Sequence, residues 1–124
     1  MDPRVQRVIA LMRHHLEQEL PPSELVRAVN LSPSHLRRLF KAEVGMTAFK
    51  YMKLLRMERA KYLLENSFLS VKEIMTTVGI NNRSHFVKDF KSLYGRTPTQ
   101  LRLLLTEQAH ATSENRVRAL TDPE

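Results

Sequence analysis

Apolar residues recur along this chain with the 3.6-residue period of a helix, and no stretch shows the alternation of a strand. Val5, Val8, Ile9, Met12 and Leu16 form one stripe behind Asp2-Pro3, a capping side chain followed by a proline at the first helical position. Pro21-Pro22 stops that helix. A short second helix starts near Ser23 and buries Leu25, Val26 and Val29, and Asn30-Leu31 makes a tight turn. Ser32-Pro33 then opens a third helix that buries Leu36, Leu39, Phe40 and Val44 and ends at Gly45. Thr47 caps a long fourth helix to Asn66, with Phe49, Met52, Leu55, Ala60, Leu63 and Leu64 at its apolar positions. Ser70-Val71-Lys72-Glu73 reads as a capping box over Val71, Ile74, Met75 and Val78. Gly79 marks the next turn. A sixth helix capped by Asn82 carries Phe86, Phe90, Leu93 and Tyr94 to Gly95, and Thr97-Pro98 starts a last one with Leu101, Leu104 and Leu105. The prediction is an all-α chain of about seven helices.

The pattern is duplicated. Leu25 to Ala48 returns in degenerate form from Ile74 to Pro98. Ser34-His35-Leu36 matches Ser84-His85-Phe86, Phe40-Lys41 matches Phe90-Lys91, and Gly45-Met46-Thr47 matches Gly95-Arg96-Thr97, with no insertion between Ser34 and Gly45. Each copy is a short helix, a tight turn and a second helix, the layout of a helix-turn-helix whose second helix enters the major groove of DNA. One copy alone would serve as well for a packing hairpin; two copies on a long helix favour side-by-side reading. Two lobes joined by a linker helix are expected within residues 1–106: lobe one over about 3–46, the linker over about 48–66, lobe two over about 70–106. Residues 107–124 turn polar and read as a flexible tail.

The outer faces of the third and sixth helices carry the candidate chemistry. Ser34, Arg37, Arg38 and Lys41 fall at i, i+3, i+4 and i+7, one stripe without a carboxylate. Arginine donates two parallel hydrogen bonds to guanine, and lysine suits phosphate or guanine. Ser34 and His35 lie at the helix start, where base edges and phosphates are approached. The second stripe is Ser84, Val87, Lys88 and Lys91, with Arg83 and His85 in the first turn. Val87 stands where the first copy has Arg37, and an apolar side chain there suits a thymine methyl group. The two stripes should therefore prefer different base patterns, although charged outer faces also occur on helices that are only solvated. A 19-residue linker would be about 28 Å long, of the order of the roughly 34 Å turn that separates successive major-groove sites. Arg56 and Arg59 on the linker are expected in structural ion pairs with Glu58, Glu65 or others.

Charge agrees with a polyanionic partner. The 124 residues carry a formal +7, distributed as +9 over residues 1–106 and −2 over 107–124. Cysteine is absent, so disulfides, zinc–thiolate sites and thiol nucleophiles are excluded. Three glycines leave no room for a nucleotide-binding loop, and no apolar run reaches the roughly 20 residues that span a bilayer. The N-terminus lacks the apolar core of a signal peptide, so a cytoplasmic place is expected. His14 and His15 are adjacent and point to different faces, and no metal-binding spacing occurs. Neither catalysis nor a cofactor is expected. A protein-docking module that has lost DNA specificity is the competing reading.

These residues resemble the DNA-binding domain of the AraC/XylS family of bacterial transcription regulators over roughly Val5 to Arg102. The resemblance rests on the run from Leu31 to Lys41, the linker run Arg56-Met57-Glu58-Arg59-Ala60-Lys61-Tyr62-Leu63-Leu64, Val78-Gly79-Ile80, and Gly95-Arg96-Thr97-Pro98 with Arg102. It implies a regulator of transcription, an activator more than a repressor, with its two lobes in adjacent major-groove segments of a promoter. Two unlike readers on one copy would bind double-stranded DNA as a monomer at an asymmetric site, and RNA polymerase or another regulator would be the partner in the docking reading. By position, Ser34, Arg37 and Arg38 would read bases in the first lobe, and Arg83, Ser84, His85 and Lys88 in the second. Val26, Met75, Ile80 and Leu101 depart from the family pattern as apolar exchanges. Many members carry a further sensing domain, for which 124 residues leave no space; a stand-alone regulator and a fragment of a longer one remain equal readings.

Overall fold

The computed structural model describes residues 1–17 and 22–121, and among these every regular element is a helix. The order is α1 (Pro3–His14), α2 (Pro22–Val29), α3 (Pro33–Val44), α4 (Ala48–Asn66), α5 (Val71–Thr77), α6 (Arg83–Tyr94) and α7 (Pro98–Thr121).

Local chemistry sets these boundaries. Asp2 accepts from the Arg4 backbone at 2.8 Å and Pro3 occupies the first helical position of α1. That hydrogen bonding and the Arg4 guanidinium hold the Asp2 carboxyl down at about 2. Ser32, Thr47, Ser70 and Asn82 each accept from the backbone N–H three residues on, capping α3 to α6. At Ser70 the cap is reciprocal, since Glu73 accepts from the Ser70 N–H at 3.0 Å. Both α3 and α6 end on a left-handed glycine, Gly45 and Gly95, whose N–H bonds back to the Lys41 and Lys91 carbonyls.

The buried side chains fall into two clusters. Val5, Val8, Met12, Leu25, Val29, Leu36, Phe40 and Leu55 make the first, and Phe40 meets Tyr51 edge-on at 5.7 Å. Met57, Ala60, Leu63, Leu64, Ile74, Met75, Val78, Phe86 and Phe90 make the second, with Phe90 between Phe86 and Tyr94. One helix supplies both. Ala48, Tyr51, Met52 and Leu55 turn α4 toward the first cluster; Met57, Ala60, Leu63 and Leu64 turn it toward the second. Leu55 and Met57 are two residues apart, about 200° around the helix, so α4 buries a different face in each half. The lobes are accordingly α1–α3 with the first half of α4, and α5–α7 with its second half. Ile80 and Leu101, two of the departures from the family pattern, pack half-buried against the second core.

Four expectations need correction. α1 ends at His14, so Leu16 sits beyond the helix rather than as its last apolar position, and Pro21 of the expected stop lies outside the described residues. Phe49 is 84% exposed, because it points off the face shared by Ala48, Tyr51, Met52 and Leu55. Leu93 is half-exposed and its counterpart Glu43 is exposed, while the next residues, Tyr94 and Val44, take the places against the cores. Finally, α7 continues to Thr121 where a tail from residue 107 was expected. No proline or glycine falls between Pro98 and Pro123 to stop it; residues 122–124 lie outside the described residues.

Truncating Phe90→Ala should remove about 3–5 kcal/mol in urea unfolding, because its ring is wholly buried in the second lobe's core. Acid should reveal the α5 cap. The Ser70 backbone and side chain depress the Glu73 carboxyl below its ordinary 4.5, so its contribution is complete above that pH and lost as pH falls through the folded value. Glu73→Gln should therefore lower Tm at pH 7, and the gap to wild type should close on acidification.

Candidate nucleic-acid interface

Helices α3 and α6 are twelve residues each, and their residues correspond at a constant offset from Pro33/Arg83 to Val44/Tyr94. Phe40 and Phe90 anchor their inner faces with no exposed surface. Register is thereby set: once Leu36 and Phe40, or Phe86 and Phe90, are buried, residues at the other side must face solvent. Ser34, His35, Arg37, Arg38 and Lys41 on α3, and Arg83, Ser84, His85, Lys88 and Lys91 on α6, are all exposed. Both sets are therefore presented as the spacing required. Val87 differs: it is half-buried, so only part of its side chain is offered to solvent.

The helix starts are also matched. Ser32 Oγ accepts from the His35 N–H at 3.2 Å, and Asn82 Oδ1 from the His85 N–H at 2.9 Å. Each cap leaves the N–H groups of Ser34, or of Arg83 and Ser84, outside the helix's own bonding, where the positive end of the helix dipole favours an anion.

The turn before each recognition helix places one residue at positive φ: Asn30 at 55° and Gly79 at 78°. Asparagine tolerates that region better than most side chains, and glycine carries no penalty there. Between the helices the second turn has five residues, 78–82, against three, 30–32, in the first, which shifts α5 relative to α2 but leaves α6 in register with α3.

Carboxylates near the two faces are few. Asp89, on α6, is half-buried and paired with Lys53 of α4 at 2.8 Å. The pair keeps a negative charge off the outer stripe and ties α6 to the linker, a role for Lys53 that the sequence reading missed because its partner lies 36 residues away. One of the two linker arginines behaves otherwise than expected. Arg59 lies over the Tyr62 ring, 5.0 Å from its centroid, rather than in an ion pair. Arg56 Nε donates to the Leu16 carbonyl at 3.1 Å. An equivalent contact closes lobe two, where Arg102 Nη1 donates to the Leu69 carbonyl at 2.7 Å. In both lobes, the helix after the recognition helix grips the connector that precedes the motif. Lys61 lies over the Tyr94 ring, and burial pushes the Tyr94 hydroxyl pKa up, with Glu58 and Glu65 adding to the shift.

Among the described residues, no group of three or more His, Asp or Glu is placed to hold a metal ion. Among the same residues, no helix is long and apolar enough to cross a membrane.

A family model for a helix-turn-helix domain matches residues 25–103, both motifs and the linker. The crystal structure of a transcriptional regulator of the AraC-type DNA-binding domain-containing proteins, from Chromobacterium violaceum, superposes with a TM-score of 0.76. It is 29% identical over 82% of this chain and 90% of its own. The chain belongs to the AraC/XylS helix-turn-helix family. Among AraC/XylS relatives, the Msm operon regulatory protein of Streptococcus mutans is 32% identical over 98 residues, 79% of this chain and 35% of that protein. The chain spans about a third or less of the length of the curated relatives it matches first. The DNA-binding domain of AdpA, solved in complex with a target DNA, shares the fold at 23% identity, with a TM-score of 0.77 over 87% of this chain and 96% of that one.

Lys41 and Lys91 occupy the same outer position of their helices, and their carbonyls accept the glycine caps. Replacing Gly95→Ala should destabilise lobe two through its positive φ alone, since a Cβ there meets open space. About 1 kcal/mol is expected, the scale of a left-handed residue, read by thermal unfolding.

Proposed function

We propose that this chain binds double-stranded DNA sequence-specifically and regulates transcription, placing α3 and α6 in successive major-groove segments on one face of the duplex. The observation that carries this reading is the matched pair of exposed stripes, held in the same register by Phe40 and Phe90. Arg37 and Arg38 are the guanine readers of the first lobe, with Ser34 and His35 at the helix start and Lys41 on phosphate. In the second lobe Arg83, Ser84, His85 and Lys88 face the bases and Lys91 the backbone. The likeness in fold to AdpA's domain, which is in complex with a target DNA, supports the mode.

The stripes differ, so the site should be asymmetric, and one protein copy suffices to read it. An activating role, which the family alone suggests, contact with RNA polymerase and a place in the cytoplasm belong to this proposal. The relatives' regulatory names agree with it.

The test compares a preferred duplex with a random one. Arg38→Ala should cost about 1–3 kcal/mol on the preferred duplex and little on the random one; equal loss on both would make Arg38 a phosphate contact. Lys91→Ala should weaken both duplexes alike and reduce the slope of log affinity against log salt by about one. A salt response that is flat for wild type would instead favour a protein partner.

A further inference from the structure

At the junction of the two lobes one backbone carbonyl does two jobs. Leu16, in the connector after α1, accepts from Arg56 Nε at 3.1 Å. The same carbonyl oxygen lies directly over the Cα of Gly79, in the turn of the second motif. A Cβ on Gly79 would run into it and would stand 3.1 Å from the Glu17 Cα. The first lobe's turn shows that positive φ alone does not demand glycine, because Asn30 adopts it. What Gly79 adds is the missing side chain, and the group that needs the space comes from the other lobe. Three residues past Gly79 is Asn82, the cap of α6, and then Arg83, Ser84 and His85. Glu17 and Arg83 line one open cleft beside the contact. Any movement at the junction is therefore passed to the base-facing end of α6.

We propose that the Leu16 carbonyl, clasped by Arg56 and seated on the bare face of Gly79, fixes the angle between the lobes and so sets the spacing of the two half-sites the protein accepts. Arg56 and Gly79 are positioning residues: they touch no DNA and act through the placement of α6 relative to α3. This rests on the bipartite reading above. Each lobe already packs on its own half of α4, so the helix alone sets their separation. The lateral contact adds the rotation about it. One inserted base pair moves the second half-site by about 3.4 Å and turns it by about a tenth of a helical turn. A locked pair of lobes meets that change only by deforming the duplex.

The experiment measures affinity of the full chain for its preferred duplex, for duplexes with one base pair inserted or removed between half-sites, and for duplexes with either half-site scrambled. Wild type should lose about 10-fold or more on changed spacing. Arg56→Gln and Gly79→Asn should lose less than about 3-fold for the same change, while their response to scrambling each half-site stays that of wild type. Arg56→Lys, which keeps a donor, should restore most of the discrimination, and Asn30→Gly should leave it unaltered. Thermal unfolding of each variant identifies any that fail to fold, and the wild-type profile stands independently of them. Variants with the wild-type spacing profile would overturn the proposal. So would a wild type indifferent to spacing that still needs both half-sites. If scrambling one half-site costs wild type nothing, the bipartite reading itself fails.

Discussion

One helix has to complete two cores, and everything functional in this protein depends on how α4 does so. Its first half presents Ala48, Tyr51, Met52 and Leu55 to one lobe, and its second half presents Met57, Ala60, Leu63 and Leu64 to the other. The changeover falls between Leu55 and Met57, which point about 200° apart around the helix. The first core takes Leu55 fully buried from the helix, with Ala48, Tyr51 and Met52 partly buried around it, and the second takes all four of its residues fully buried. At roughly 1.5–3 kcal/mol per fully buried large apolar side chain, the second half of α4 contributes a substantial part of its lobe's hydrophobic stabilisation. The same helix holds α6 by Lys53–Asp89 and the α1 connector by Arg56. Burial of Phe40 and Phe90 then leaves each recognition helix a single outer face.

Much of this was legible in the residues. The constant offset between Ser34–Gly45 and Ser84–Gly95 announced two equal helices, and the caps Ser32, Thr47, Ser70 and Asn82 stand where the spacing put them. Those signals are local: a cap acts over three residues and an apolar stripe over seven or eight. All ten candidate site residues on these helices are exposed, for the same reason, while Val87 of the second stripe is half-buried. Contacts between distant segments were not legible. Nothing near Arg56 in sequence marks a carbonyl 40 residues upstream as a partner, and glutamates beside Arg59 suggested an ion pair where the structure has its guanidinium over the Tyr62 ring. Phe49 shows the complementary error. Aromatic content argued for burial, yet one step around the helix places the ring in solvent. The length of α7 was missed because polar composition was read as irregularity, although polar residues without proline or glycine continue a helix readily.

The duplication is structural more than chemical. Arg37 in the first helix faces Val87 in the second, and Asn30 in the first turn faces Gly79 in the second. The first difference changes what each helix offers a base pair. The second belongs to the join between lobes, where Leu16 leaves no room for a side chain. Two copies of one scaffold have thus diverged at two kinds of position: the exposed face of the second helix and the surface that meets the other copy.

The central claim is that one copy of this chain reads two unlike sequences one helical turn apart. Selection of duplexes from a random-sequence library by the purified protein at physiological salt tests it most directly. The account predicts two different motifs centred about ten base pairs apart, in a fixed order and without a palindrome. A single short motif, a palindrome, or no enrichment would contradict it.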